Sequence, residues 1–268
     1  MRFGCCGSMI APGSDPVGVE AIGTLAELGY DYVELSLAHM AALSDADFQA
    51  LAARVEGSGL VCEACNNFFP AGVRLTGPEA SLPAALDYAA RAMERAERLG
   101  ARIVVFGSSG AKNVPPGFPR EQAWGQISDL LGRLGPMAES RGITIAIEPI
   151  NRLESNIVNT VAEGLRLMRE VGHANIRLLV DFYHLCMESE DPLVLLEAGE
   201  GIRHVHLARL EGRGFPTRAE GNFAPFFDAL GRIGYGGRCS IEAYTNDFAT
   251  DARQALETLR AETGRHTA

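Results

Sequence analysis

The chain has 268 residues, the size of one (β/α)8 barrel and more than a single small module needs. Hydrophobic residues make up 47%, enough for a sizeable core, and no run approaches the roughly 18 apolar residues of a membrane span. Lys and Arg number 24 against 34 Asp and Glu, a net charge of −10, which argues against nucleic acid or a membrane as partner and favours a small molecule. No basic stretch followed by a long apolar segment opens the chain, so a cytoplasmic location is expected. The six cysteines are sparse and irregularly spaced, which reads as reduced thiols rather than a disulfide framework.

Along the chain one phrase recurs: an amphipathic stretch, a turn containing glycine, then a short β-branched or apolar run. Met1 to Cys6 reads as the first strand. Asp15-Pro16 reads as an N-cap and first-turn proline opening a helix from Val17 to Leu28, ahead of the strand Tyr32 to Leu35. A helix over Asp45 to Val55 leads through Gly57-Ser58-Gly59 to the strand Leu60 to Cys65. Cys62 and Cys65 form a C-x-x-C there; residues three apart on a regular strand face opposite ways, so packing is expected rather than a shared metal.

Ala84 to Leu99 sets Leu86, Ala89, Ala90, Met93 and Ala96 against Arg91, Glu94, Arg95 and Arg98, an amphipathic helix before the strand Arg102 to Phe106. The helix Glu121 to Ser140 precedes Ile143 to Glu148, Val161 to Val171 precedes Ile176 to Asp181, and Pro192 to Ala198 precedes Ile202 to Leu207. Pro225 to Ile233, the strand Arg238 to Glu242 and a helix over Asp251 to Thr263 complete the alternation. Eight β-then-α units without a break in composition predict an α/β fold, a single (β/α)8 TIM barrel spanning 1–268 as one domain.

The carboxyl ends of barrel strands share one rim, where active sites of this architecture sit. The last four strands end in Glu148, Asp181, His206 and Glu242. Acids and histidines are only 34 and 6 of 268 residues, so four consecutive strand ends bearing one is not a composition effect. Three oxygen donors and one imidazole suit one hard or borderline divalent cation per chain: Mn2+, with Mg2+ or Co2+ as alternatives. Zinc fits less well, because no thiolate joins and only one histidine does. Such a cation stabilises the enediolate left when a C–H beside a sugar carbonyl loses its proton. Glu148 and Glu242 come from different strands and suit the removal and return of that proton on opposite faces.

Other residues carry weaker signals. Glu34 at the end of the second strand and Asn66-Asn67 after the third are placed to bond sugar hydroxyls or to cap loops. The glycine-rich loop from Gly107 to Gly117 either presents Lys112 to a phosphate or carboxylate or is a plain loop. Arg213 and Arg218 lie in a Gly/Pro-rich loop, with a substrate role expected for Arg213 only. His173, His204 and Trp124 read as structural, His204 one layer below His206 on the same strand face.

The segments Ile147-Glu148-Pro149-Ile150-Asn151-Arg152-Leu153-Glu154, Val180-Asp181-Phe182-Tyr183-His184, His204-Val205-His206-Leu207 and Ile241-Glu242-Ala243-Tyr244 resemble the xylose-isomerase-like barrel superfamily. Within it they are most similar to the sugar-phosphate isomerase/epimerase group that includes ketose 3-epimerases of the tagatose and psicose type. The resemblance implies a metal held by Glu148, Asp181, His206 and Glu242, with the two glutamates as acid and base. It further implies that Glu154 and His184 contact substrate oxygens, that Arg213 binds substrate, and that the chain forms a homodimer or homotetramer. Two departures stand out: the spacing after His206 leaves Arg209 as an alternative to Arg213, and Cys6, Gly7 and Ser8 replace the aromatic cluster expected on the first strand. The expected activity is a metal-dependent ketose 3-epimerase. A metal-dependent lyase acting on a keto-sugar derivative shares the first proton abstraction and stays open. An abasic-site endonuclease would need more histidines than 6 and a basic face, against a net charge of −10; a non-catalytic sugar-binding barrel would not need two bases.

Overall fold

A computed structural model of the chain describes residues 1–11, 13–217 and 223–264, so that Arg218 lies outside them. Among the described residues, eight parallel strands close into one barrel in sequence order: β1 (Arg2–Cys6), β2 (Tyr32–Ser36), β3 (Cys62–Asn66), β4 (Ile103–Phe106), β5 (Thr144–Ile147), β6 (Ile176–Asp181), β7 (Ile202–Leu207) and β8 (Arg238–Ile241). Strands of such a barrel are buried on both faces. Their outward residues, such as Val104, Ile145 and Val205, join the helices in one continuous core. The inward face holds a smaller apolar layer of Tyr32, Ala64, Ile103, Val105, Ala146 and Leu179.

The helices follow their caps and stripes. Ser44 Oγ accepts from Asp47 N at 3.1 Å to open Asp45–Ser58, and Thr160 Oγ1 accepts from Glu163 N at 3.1 Å to open Val161–Val171. Gly172 closes the latter helix at φ 67°, a left-handed turn that costs glycine little. The helix Leu82–Arg98 buries Ala89, Met93 and Ala96 and exposes Arg91, Glu94 and Arg98, as its pattern predicts. Trp124 packs as expected, 6% exposed, with its Nε1 donating to Glu170.

Four local expectations need correction. The helix expected from Val17 starts only at Ala21, because Asp15 is spent on capping a preceding turn, accepting from Gly18 N and Glu20 N. Pro192 to Ala198 is a 3-10 turn, Pro192–Val194, followed by one α-helical turn, Leu195–Ala198. The loop after β4 contains a short helix, Ser109–Lys112. Finally, Cys62 and Cys65 do not face opposite ways: their sulfurs lie 3.8 Å apart. A bulge is responsible, since Val33 pairs with Cys62 but Glu34 with Ala64, leaving Glu63 as an extra residue that resets the alternation. All six thiols are free, and this pair belongs to neither group of three or more metal-capable side chains among the described residues. No helix among those residues is long and apolar enough to cross a membrane.

Candidate metal and sugar site

The four rim residues converge at the carboxyl end of the barrel. Glu148 follows β5, and Glu242 follows β8 with its N–H bonded to Leu207 O at 3.0 Å. Asp181 ends β6 and is 2% exposed; its Oδ1 caps the next helix, Phe182–Met187, accepting from Tyr183 N at 2.7 Å. His206, on β7, points Nδ1 at Glu148 Oε1, 3.3 Å away, and at Glu242 Oε2, 3.6 Å away. Glu148, Asp181, His184 and Glu242 each offer a ligand atom, all within 4.8 Å of one another. Gly107 makes room for this: a Cβ there would stand 2.0 Å from Glu148 Oε2.

The residues expected to meet a substrate surround this cluster. Arg213 Nη2 lies 2.5 Å from Glu242 Oε2 and 3.5 Å from Asp181 Oδ2, and its Nη1 lies 3.3 Å from Glu154 Oε2. Its guanidinium also stacks 4.8 Å over the Tyr183 ring. Arg213, not Arg209, therefore reaches the cluster, with Arg209 packed against Gly214 instead. The Arg213 backbone is left-handed, φ 47°, and its carbonyl accepts from Tyr244 N at 2.9 Å, tying the loop after β7 to the loop after β8. Asn66 Nδ2 donates to Glu242 Oε1 at 3.2 Å, and His184 Nε2 lies 3.7 Å from Asp181 Oδ2.

Glu34 and Lys112 are placed otherwise than expected, while Asn67 takes the loop role that is its alternative. Glu34 does not face the rim; it is fully buried one layer down and bonded to both His204 and His206. Asn67 turns away to donate to Ser36 Oγ. Lys112 is 1% exposed and donates to the Glu148 carbonyl at 3.2 Å. Asn151, Gly107 and Tyr183 serve the site without having been singled out, although Asn151 and Tyr183 lie inside the motifs that frame it.

The electrostatics follow from burial and charge. Burial alone would raise the Glu242 pKa, but Arg213 and then His206 outweigh it and hold the carboxyl down to about 2. Burial disfavours the His206 cation, yet Glu34 beside it lifts its pKa well above the ordinary value. Arg213 is likewise desolvated and likewise overruled, by Glu242, Asp181 and Glu154 in turn. Lys112 goes the other way, its pKa pushed down to about 8 by burial.

The donor set fits a divalent cation. Asp181 Oδ2 is buried and accepts no hydrogen bond among the described residues, the Arg213 guanidinium at 3.5 Å and His184 Nε2 at 3.7 Å standing beyond bonding distance, so its lone pairs are left for a cation. Three carboxylates and an imidazole nitrogen form an oxygen-rich set of the kind that Mn2+, Mg2+ or Co2+ prefers.

The sequence matches the family model of xylose isomerase-like TIM barrels over residues 22–262. The chain belongs to that family. Among its relatives, an L-ribulose 3-epimerase of Mesorhizobium japonicum is 28% identical over 226 residues, covering 84% of this chain and 75% of its own. A ketose 3-epimerase of Arthrobacter globiformis is 28% identical over 250 residues, covering 92% of this chain and 84% of its own. In fold, the chain superposes on the D-allulose 3-epimerase of Methylomonas sp., solved with D-allulose, at a TM-score of 0.86, with 24% identity and coverage of 98% and 97%.

Proposed function

We propose that this protein is a divalent-metal-dependent ketose 3-epimerase, working through Glu148 and Glu242 as paired acid and base. The observation that carries the reading is the placement of these two carboxylates, which come from β5 and β8 and lie within 3.3 and 3.6 Å of the same His206 nitrogen. Relatives that are ketose and L-ribulose 3-epimerases support it. Glu148, Asp181, His206 and Glu242 would hold the cation, with Mn2+ the best match to the donor set. When bound, it supplies Lewis-acid polarisation of a substrate carbonyl and the neighbouring hydroxyl.

The residues of the chain do the rest. One glutamate, ionised, takes the proton from C3, and the bonding pair moves into a C2–C3 double bond as the C2 carbonyl becomes an oxyanion. The other glutamate, protonated, returns a proton to the opposite face of C3, the carbonyl re-forms, and the two carboxyl groups have exchanged states. No atom is gained or lost, and C3 inverts. His184 presents Nε2–H and Glu154 presents a carboxylate to substrate oxygens, while Arg213 and Asn66 orient Glu242 from two sides. Leu153, Leu210 and Tyr244 are exposed apolar side chains on the loops after β5, β7 and β8, and we read them as part of the surface of a homodimer or homotetramer.

Deuterium incorporation tests the activity. Mn2+-loaded protein in D2O is given free and phosphorylated ketoses, hydroxypyruvate and keto-glycosides, and NMR follows the products. Label at C3 together with the new epimer is the expected result. Label at C1 with an aldose would make the protein an isomerase, exchange followed by loss of a group would make it a lyase, and no exchange across the panel would remove the sugar assignment.

A further inference from the structure

Beneath the rim cluster lies a second polar group, closed off from solvent inside the barrel. Glu34, His204, His206 and Ser240 are all 0% exposed, and the rest of that interior layer is apolar apart from the Tyr32 hydroxyl. We propose that Glu34 is a positioning residue that fixes the ring orientation and tautomer of His206, committing the Nδ1 lone pair to the divalent cation. The inference rests on the reading of Glu148, Asp181, His206 and Glu242 as the cation site and adds a residue from β2 to its machinery.

Three observations carry it. First, the two nitrogens of His206 face different partners: Nε2 stands 3.0 Å from Glu34 Oε1, whereas Nδ1 faces Glu148 Oε1 and Glu242 Oε2. Nδ1 also stands within hydrogen-bond distance of a carboxylate, Glu148 Oε1 at 3.3 Å, but that carboxylate belongs to the cation site, where a bound metal would displace the Nδ1 proton; Glu34 lies outside the site, keeps the proton on Nε2 and so leaves the Nδ1 lone pair to the metal. Second, Glu34 cannot swing away. Its Oε2 accepts from His204 Nε2 at 2.8 Å and from Ser240 Oγ at 2.5 Å, and the Ser240 oxygen in turn pairs with Tyr32 Oη at 2.7 Å. Third, His204 Nδ1 is buried and has no hydrogen-bond partner among the described residues. That suits a neutral ring with its one proton on Nε2, donated to Glu34, and leaves the carboxylate's remaining oxygen to His206.

The group is not a second metal site, although Cys6, Glu34 and His206 lie close enough together to be considered for one. Glu34 approaches the two imidazole nitrogens at 2.8 and 3.0 Å, hydrogen-bond distances. Ligands each about 2.0–2.1 Å from a tetrahedral ion would stand roughly 3.3 Å apart. The Cys6 sulfur is a further 4.0 Å from His206 Nε2. Nor can water take over from Glu34, because the layer around it is packed with Ala64, Ile103, Val105, Ala146 and Leu179.

The test compares wild type, Glu34→Gln and Ser240→Ala. Calorimetric titration with Mn2+ gives the affinity, thermal melting of the metal-free proteins gives the cost to the fold, and long-range 1H–15N spectra of the Mg2+-loaded wild type locate the His206 proton. A positioning role predicts Mn2+ binding weakened roughly 10- to 100-fold in Glu34→Gln. Ser240→Ala, which loosens the same network without touching His206, is expected to weaken it less at a comparable melting temperature. The proton is expected on Nε2. Folded Glu34→Gln with unchanged Mn2+ affinity would overturn the inference while leaving the cation site standing. A wild-type His206 protonated on Nδ1 overturns it even if Glu34→Gln fails to fold, and a wild type that binds no Mn2+ removes the cation site and this role together.

Discussion

Asn151 couples His184 to Glu154: its Nδ2 lies 2.7 Å from His184 Nδ1 and 2.9 Å from Glu154 Oε1, while its Oδ1 accepts from Leu153 N at 3.0 Å. The Leu153 bond fixes which end of the amide is the donor, so His184 Nδ1 must be an acceptor and Nε2 must carry the proton that points into the site. One side chain thereby sets the direction of both contacts proposed for the substrate. Asn151→Ala should raise KM for the ketose about tenfold, corresponding to one lost hydrogen bond of the 1–3 kcal/mol class, with a smaller fall in kcat. Steady-state kinetics checks the split, and an unchanged KM would separate Asn151 from substrate recognition.

Replacing Glu242 by Gln keeps the shape and removes one of the two proposed bases. The expected result is a loss of epimerisation of at least ~1000-fold, within the scale of general acid–base and electrostatic contributions together, with a melting temperature near wild type. If Glu148 is the second base, the variant should still exchange the C3 hydrogen of one epimer with D2O without forming the other. Wild-type turnover in Glu242→Gln would end the two-base mechanism.

Gly107→Ala probes the floor beneath Glu148. The added methyl would meet Glu148 Oε2 at 2.0 Å, so the carboxylate must move off the cluster. We expect Mn2+ affinity and kcat to fall together by at least ~10-fold, as displaced metal-site geometry does, while the barrel stays folded. Calorimetry alongside kinetics would show whether the two parameters separate.

Lys112 gives a pH dependence with a definite sign. In the folded chain its pKa is about 8 rather than the ordinary 10.5, so between those values the unfolded chain binds the additional proton and stability rises with pH. Below pH 8 the buried ammonium costs on the order of 3 kcal/mol, and Lys112→Met should remove that cost. Its urea midpoint should exceed that of wild type at pH 7, with the gap closing as the pH approaches 10.5. A gap that stays constant with pH would mean that Lys112 does not titrate in this window.

The barrel and its rim are legible in the sequence because both rest on local signals. Glycine-punctuated β-branched or apolar runs mark seven of the eight strands, the first being the opening Met1 to Cys6, and the strand ends place Glu148, Asp181, His206 and Glu242 on one rim. What escapes is what depends on register and depth. Glu34 reads as a strand end, yet β2 runs on to Ser36 whereas β5 stops at Ile147 before Glu148, so Glu34 sits one layer lower, among histidines rather than sugar hydroxyls. The bulge between β2 and β3 defeats simple alternation at Cys62 and Cys65. Lys112 reads as a loop cation because nothing in the sequence shows that Ser109–Lys112 folds inward beneath Glu148.

That bulge also braces the cylinder where the β1–β8 ladder closes it. Glu63, the surplus residue, reaches across the amino-terminal mouth to Arg2 at 2.5 Å and to Arg238 at 2.5 Å, the first residues of β1 and β8, where the beginning and the end of the chain meet. The seam is clasped by a strand that belongs to neither side of it. Chain ends in a barrel are where fraying would ordinarily start. Here amide hydrogens along β1 and β8 should exchange as slowly as those of β4 and β5, and a circular permutant opened in a distant surface loop should keep its hoop intact.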